Sequence, residues 1–192
     1  MTEAEWDPVI RVHLKGHAAP TRHAAEYWRT AAKVGNSVRG SIINTTSVAG
    51  FIGSFGQANY AAAKLGVVAL AYTASLELEK YGIRANSVSP SARTRLTQSV
   101  PSGREAYLSH GGDDSDFDRF DPANVSPLIA WLAAENCPAN RQVFHIDGNR
   151  LFVVAIPTIQ HRLETVGRWT LEALDAQLPP RLVPPLPEDA WQ

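Results

Sequence analysis

A tyrosine and a lysine stand one helical turn apart at Tyr60 and Lys64, and Ser47 precedes the tyrosine by thirteen residues. A free phenol titrates near about 10, so it is a weak base at neutral pH. A lysine ammonium beside it favours the phenolate. A serine hydroxyl aimed at the same point donates a hydrogen bond to a substrate oxygen. Such a set can move a proton to or from an alcohol while the alcohol carbon gives up or takes a hydride. Each part alone is commonplace. Tyr-x-x-x-Lys also describes a half-buried ring beside a solvated amine, and a serine at a strand end usually serves as a turn or cap residue.

The chemistry needs elements that bring the three residues to one place. SIINTTSV, residues 41–48, is short, β-branched and bounded by turn formers, which predicts a buried strand ending at Ser47. AGFIGSFGQAN follows, with glycines at 50, 53 and 56, and reads as a loop. From about Asn59 the chain is Ala-rich and free of proline as far as Gly82, a residue suited to close a helix. Tyr60 and Lys64 then share one helical face. IRANSVSP predicts a second strand, ended by Pro90, and RQVFHIDG a third. SPLIAWLAAEN predicts an amphipathic helix with Ser126 as N-cap and Pro127 at its first position.

The combination of NTTSVAG, QANYAAAK and IRANSVSP, extended by VFHIDGN near residue 145, resembles the short-chain dehydrogenase/reductase family over roughly residues 6–150. The resemblance implies an α/β fold: a partial Rossmann-like, doubly wound parallel sheet with only the later strands and helices present. Residues 1–150 would be the catalytic half, and 151–192 a C-terminal extension with a short helix and a Pro-rich tail. Ser47 would polarise the substrate oxygen and Tyr60 would act as acid and base. Lys64 would tune Tyr60 and hold the nicotinamide ribose. Pro90, Ser91 and Thr94 would lie against the cofactor, with Thr94 on the carboxamide. Ser91 stands where the family usually has glycine, and a positive φ there would strain it by about 1 kcal/mol. His13 stands where many members carry an asparagine whose main-chain carbonyl holds a water in a proton relay reaching the lysine. A histidine keeps that carbonyl, and His13 joins the catalytic candidates.

The resemblance further implies NAD or NADP as cofactor and a small-molecule alcohol or ketone as substrate. The helix bearing Tyr60, with Ala62, Gly66 and Ala69 on its opposite face, would pack against another subunit in a homodimer or homotetramer, or else within the chain. Residues 95–124 correspond to a substrate lid. Against this stands an absence: neither Thr-Gly-x-x-x-Gly-x-Gly nor Asn-Asn-Ala-Gly occurs in the sequence. That Gly-rich turn holds the dinucleotide pyrophosphate on backbone N–H groups. The glycines at 50–56 lie between the serine and the tyrosine, the wrong place for it. Two readings follow. One is an NAD(P)-dependent oxidoreductase interconverting a secondary alcohol and a ketone. The other is a truncated, inactive chain serving as an interaction module. Three strands are expected, with the open edge of residues 41–48 facing solvent or another chain.

Bulk properties set limits. The 192 residues suggest one domain, 44% hydrophobic and 19% charged, at a net charge of −1. That balance offers nothing to nucleic acid or an anionic membrane. The single cysteine, Cys137, forbids an intrachain disulfide and agrees with a cytoplasmic setting. No apolar run is expected to reach a membrane span of about 20 residues, and MTEAEWDP lacks the regions of a signal peptide. His13 and His17 are spaced for a metal, but no third ligand is evident. Asp113, Asp114, Asp116 and Asp118 lack the glutamate that closes a calcium loop. Residues 3–33 predict one long helix or two, interrupted or kinked at Pro20 above Gly16. LFVVAIP predicts a strand or extended segment. GRWTLEALDAQL predicts a short helix anchored by Trp169, Leu171 and Leu174, and the Pro-rich tail from Pro179 predicts extended chain.

Overall fold

Strand β1 (Gly40–Thr45) forms where the sequence places its β-branched run. It pairs in parallel with β2 (Ile83–Ser91), which pairs in parallel with β3 (Val143–Asp147). The computed structural model describes residues 1–99, 117–155 and 159–182. A fourth strand, β4 (Arg150–Val153), pairs antiparallel with β3, so the order is β1-β2-β3-β4. The first three are the strands expected, and the fourth takes up the start of LFVVAIP, expected as a strand or extended segment. The turn at Gly148, at φ 61°, folds LFVVAIP's first residues straight back on β3.

Both faces of the sheet are covered. On one, Ile42, Ile83 and Ala85 pack with Ala74 and Leu78 of α4 (Ala58–Leu78). On the other, Val88, Phe144 and Ile146 pack with Leu128 and Leu132 of a later helix, α6 (Ser126–Ala133). Burial is unbroken along β3 and from Ala85 to Ser89 of β2, as parallel strands under two helical layers require.

Helix α4 buries Ala63, Lys64, Val67, Val68, Ala71, Ala74, Ser75 and Leu78, a stripe at helical spacing against the sheet. It closes through a 3₁₀ turn (Glu79–Tyr81) onto Gly82 at φ 77°. A β-carbon on Gly82 would lie 2.3 Å from the Val38 carbonyl oxygen, so the position needs glycine twice over. The stretch Ala58–Tyr81 does have the length and hydropathy of a membrane span, contrary to expectation, and 44% of its most apolar window is buried inside the fold. Ala63, Val67, Val68, Ala71, Ala74 and Leu78 are turned to the fold's interior, while Leu65 and Leu76 are exposed.

Ahead of the sheet run α1 (Glu3–Val9), a π-helical turn (Ile10–Lys15) and α2 (Gly16–Lys33). The irregularity lies before Pro20 rather than at it. Helix α2 passes through Pro20 unbroken, and Gly16, the residue whose carbonyl the ring would crowd, carries no side chain. After β2, α5 (Arg95–Ser99) is a short helix within the expected loop. Residues 100–116 of the segment expected as a lid, with Asp113, Asp114 and Asp116, lie outside the described residues. Asp121, not Ser126, caps the next turn. Its carboxylate accepts from Ala123 N at 2.8 Å, opening a 3₁₀ turn (Pro122–Val125) that runs into α6.

Residues Met1–Val154 form one compact unit and Ala155–Gln192 a second. In the second, α7 (Leu171–Gln177) is capped by the Thr170 hydroxyl, which accepts from Ala173 N at 3.2 Å. Leu171 is 76% exposed and anchors nothing, unlike the half-buried Trp169 and Leu174. Pro179–Arg181 is a 3₁₀ turn rather than extended chain, closed by the Arg181 N–H donating to the Leu178 carbonyl at 2.9 Å. Residues 183–192 lie outside the description.

Candidate active site

Lys64 is 5% exposed, and its placement is fixed from both ends. Its Nζ donates to the Thr45 carbonyl, the last of β1, at 2.9 Å. Its own carbonyl accepts from Thr46 Oγ1 at 2.7 Å. The lysine turn of α4 is thus fastened to the exit of β1. Nζ lies 5.5 Å from the centroid of the Tyr60 ring, so helix spacing has put the two side chains together. Burial holds the Lys64 ammonium below its ordinary pKa.

Ser47 leaves β1 in extended conformation and caps α3 (Val48–Ile52), its Oγ accepting from Ala49 N at 3.3 Å. The expected loop therefore begins with a helix. Gly53, at φ 81°, ends that helix. Gly50 lets α3 lie directly on α4, since a β-carbon there would sit 2.8 Å from Leu65 N. Ser47 and Lys64 are in this way set on neighbouring pieces of backbone.

Asn59 fixes the tyrosine. Its Oδ1 accepts from Tyr60 N at 2.7 Å and its Nδ2 donates to the Glu5 carbonyl at 2.9 Å. The sequence showed Asn59 only as the neighbour of Tyr60, because a side chain bonded to a helix over fifty residues away has no local signature. His13, on the π turn, meets the Tyr60 ring edge to face at 5.0 Å. The His13 carbonyl accepts from Nδ1 of His17 at 2.5 Å. The oxygen that the resemblance assigns to a relay water is thus already engaged.

Pro90 and Ser91 end β2 on the same edge of the sheet, and the strand runs one residue past the proline. Ser91 pairs with Asp147. Arg141 is the only described non-glycine at positive φ, so serine in place of glycine at 91 carries no left-handed strain. Thr94 caps α5: its N–H donates to Thr97 Oγ1 at 2.7 Å, and its hydroxyl accepts from Thr97 N at 3.2 Å. The structure thus brings Tyr60, Lys64 and His13 into contact, sets Ser47 beside the strand end that Lys64 grips, and leaves Thr94 exposed at the next strand's exit.

Residues 1–105 match the family model described as short chain dehydrogenase. The chain belongs to the short-chain dehydrogenase family. Its relatives include the hydroxyacyl-CoA dehydrogenase ChsB1 of Mycobacterium tuberculosis, 41% identical over 182 residues, covering 93% of this chain and 56% of the relative. The human (3R)-3-hydroxyacyl-CoA dehydrogenase is 42% identical over 143 residues, 71% of this chain and 50% of the relative. Among solved structures, a short chain dehydrogenase from Mycobacterium avium superposes with a TM-score of 0.80 at 40% identity, covering 97% of this chain and 61% of that one. This short-chain dehydrogenase chain spans about half the length of the curated relatives it matches.

A groove of about 870 Å³ lies elsewhere, between α2 and α4, and none of the candidate residues lines it. On the strand side, His145 is 2% exposed, and its Nδ1 donates to the Ser89 carbonyl at 2.9 Å. Burial holds His145 below the ordinary histidine pKa, against the Ser89 carbonyl and Asp147, which pull it up. Burial, then Lys64, then His17 do the same to His13. An unfolded histidine takes its proton near about 6.5, and these two take theirs lower. The stability their neutral rings contribute is therefore complete above about 6.5 and is lost as the pH falls from there toward their folded pKa values. Urea unfolding between about pH 7 and 5 should show this decline, and His145→Asn, which keeps a donor for Ser89, should flatten it. A profile that His145→Asn leaves equally steep would contradict the assignment to that ring.

Proposed function

We propose that this chain carries the catalytic half of an NAD(P)-dependent oxidoreductase that interconverts a secondary alcohol and a ketone on an acyl thioester. The observation that carries the reading is the buried Lys64 ammonium beside the Tyr60 ring, fastened to the strand end that leads into Ser47. In this reading Tyr60 exchanges a proton with the substrate oxygen at its hydroxyl. Ser47 Oγ, which accepts from the Ala49 N–H, donates its own proton to that same oxygen. Lys64 supplies fixed positive charge beside the proton in transit. His13 closes one side of the tyrosine ring and keeps water from it.

The donor set fits the ribose and nicotinamide end of a dinucleotide. It offers an ammonium at Lys64, a phenol at Tyr60 and an exposed hydroxyl at Thr94, with Pro90 and Ser91 between them on the strand edge. When bound, the nicotinamide supplies or accepts the hydride. Among the described residues no strand-to-helix Gly-rich turn offers N–H groups to the pyrophosphate. The thioester part of the reading comes from the relatives, two of which are named as hydroxyacyl-CoA dehydrogenases. A cytoplasmic setting and a homo-oligomer complete it. The outward face of α4, with Ala62, Leu65, Ala69 and Leu76 exposed, is the surface offered to a second copy.

The test is turnover of the full chain with a 3-hydroxyacyl thioester and oxidised cofactor, or a 3-oxoacyl thioester and reduced cofactor, followed by nicotinamide absorbance. The reading expects a change that depends on both substrate and protein. No change with either cofactor, in either direction, would remove it.

A further inference from the structure

Asp147 ends β3 on the same edge as the exits of β1 and β2, and it is 4% exposed. Its carboxylate accepts from Arg119 Nε at 2.9 Å and from a second nitrogen of the same guanidinium. Arg150 Nη2 also donates to it, at 2.7 Å. One buried negative charge therefore holds two guanidiniums, and the group is left with one net positive charge.

The arginines are set there by construction. The Arg93 N–H donates to the Phe120 carbonyl at 2.8 Å and the Arg93 side chain pairs with Asp118, which fixes the turn carrying Arg119 against the exit of β2. Asn124 donates to the Asp118 and Arg119 carbonyls. Gly148 leaves the room Arg119 occupies, since a β-carbon there would lie 2.7 Å from Arg119 Cγ. Arg150 opens β4 just beyond. Yet the side chains of Arg119 and Arg150 remain 30% and 35% exposed. Each guanidinium has five N–H donors, more than Asp147 can accept. A fixed, partly exposed pair of guanidiniums with spare donors suits a phosphate oxygen. It stands at the carboxyl ends of parallel strands, where open α/β sheets bind ligands.

We infer that Arg119 and Arg150, held by Asp147, bind a phosphate of the coenzyme A half of the substrate while its acyl end reaches Tyr60. The inference rests on the thioester reading of the site. Phosphate could also come from the dinucleotide, so the experiment separates the sources. The full chain is titrated with coenzyme A, with pantetheine, which lacks the phosphates, and with NADH, and tryptophan fluorescence is read. Arg150→Gln leaves Arg119 on Asp147, and its melting temperature confirms that it folds. Coenzyme A should bind about tenfold more weakly to Arg150→Gln, with pantetheine and NADH unchanged. Arg150→Lys should recover part of the loss, and added salt should weaken coenzyme A binding while leaving that of pantetheine unchanged. Equal coenzyme A affinity in wild type and Arg150→Gln, or a loss confined to NADH, would overturn the subsite while leaving the thioester reading standing. A wild-type chain that binds neither coenzyme A nor pantetheine would overturn both.

Discussion

Tyr60→Phe should lower turnover by about 10²- to 10⁴-fold, the contribution of a positioned general acid and base, while leaving the fold intact. The phenyl ring keeps its edge-to-face contact with His13, and Asn59 still receives the residue's N–H, because both interactions involve parts of the residue other than the hydroxyl. Only the proton carrier is removed. The loss should therefore fall on turnover rather than on substrate affinity or melting temperature. Comparable losses of turnover and melting temperature would mean that Tyr60 supports structure and that the proton moves elsewhere.

Lys64→Met should produce the second large effect, about a 10²- to 10³-fold loss in turnover, the size typical of removing a preorganised electrostatic contact. Two stability terms oppose each other at this position. The Thr45 carbonyl loses its donor, which costs about 1–3 kcal/mol if nothing replaces it. The variant also no longer buries an ammonium, and burial is what depresses the Lys64 pKa. Methionine fills similar space, so the net change in stability should stay within about 1 kcal/mol. A separate consequence reaches His13, whose pKa is held down partly by the Lys64 charge. Removing that charge should raise the His13 pKa, and proton NMR of the ring would show it. An unmoved His13 titration would mean the two groups do not interact as their positions imply.

The helical register of Tyr60 and Lys64 was legible in the sequence because it depends only on the pitch of one helix. The strands were legible for a similar reason, as β-branched runs between turn formers. What lay hidden was long-range. The bond from Lys64 to Thr45, the grip of Asn59 on Glu5 and the close passage of Gly50 under Leu65 join segments whose sequences do not mark each other. Helix α3 escaped notice because five residues are too few to show a period and glycine sits inside it. Strand β4 looked ambiguous because its exposure alternates, so its apolar letters do not mark a buried run. At Pro20 the expected break does not occur: α2 runs through the proline, and the irregularity falls before it, in the π turn Ile10–Lys15. The apolar count of α4 combines a buried stripe against the sheet with exposed Leu65 and Leu76 on the other side.

The Asp147 cluster bears on the same edge from the other side. If its arginines take a phosphate, the substrate lies across the exits of all three parallel strands, with its reacting end at β1 and its charged end at β3. The acyl end would then reach Tyr60 already oriented, and binding energy from the far end would support the chemistry.

The most direct test uses reduced nicotinamide carrying deuterium at the transferable position, incubated with the full chain and a 3-oxoacyl thioester, with the product read by mass spectrometry. The account predicts a hydroxyacyl product bearing one deuterium at the new alcohol carbon, formed by the wild type and almost absent with Tyr60→Phe. A product that forms equally well with Tyr60→Phe, or one that carries no deuterium, would contradict it.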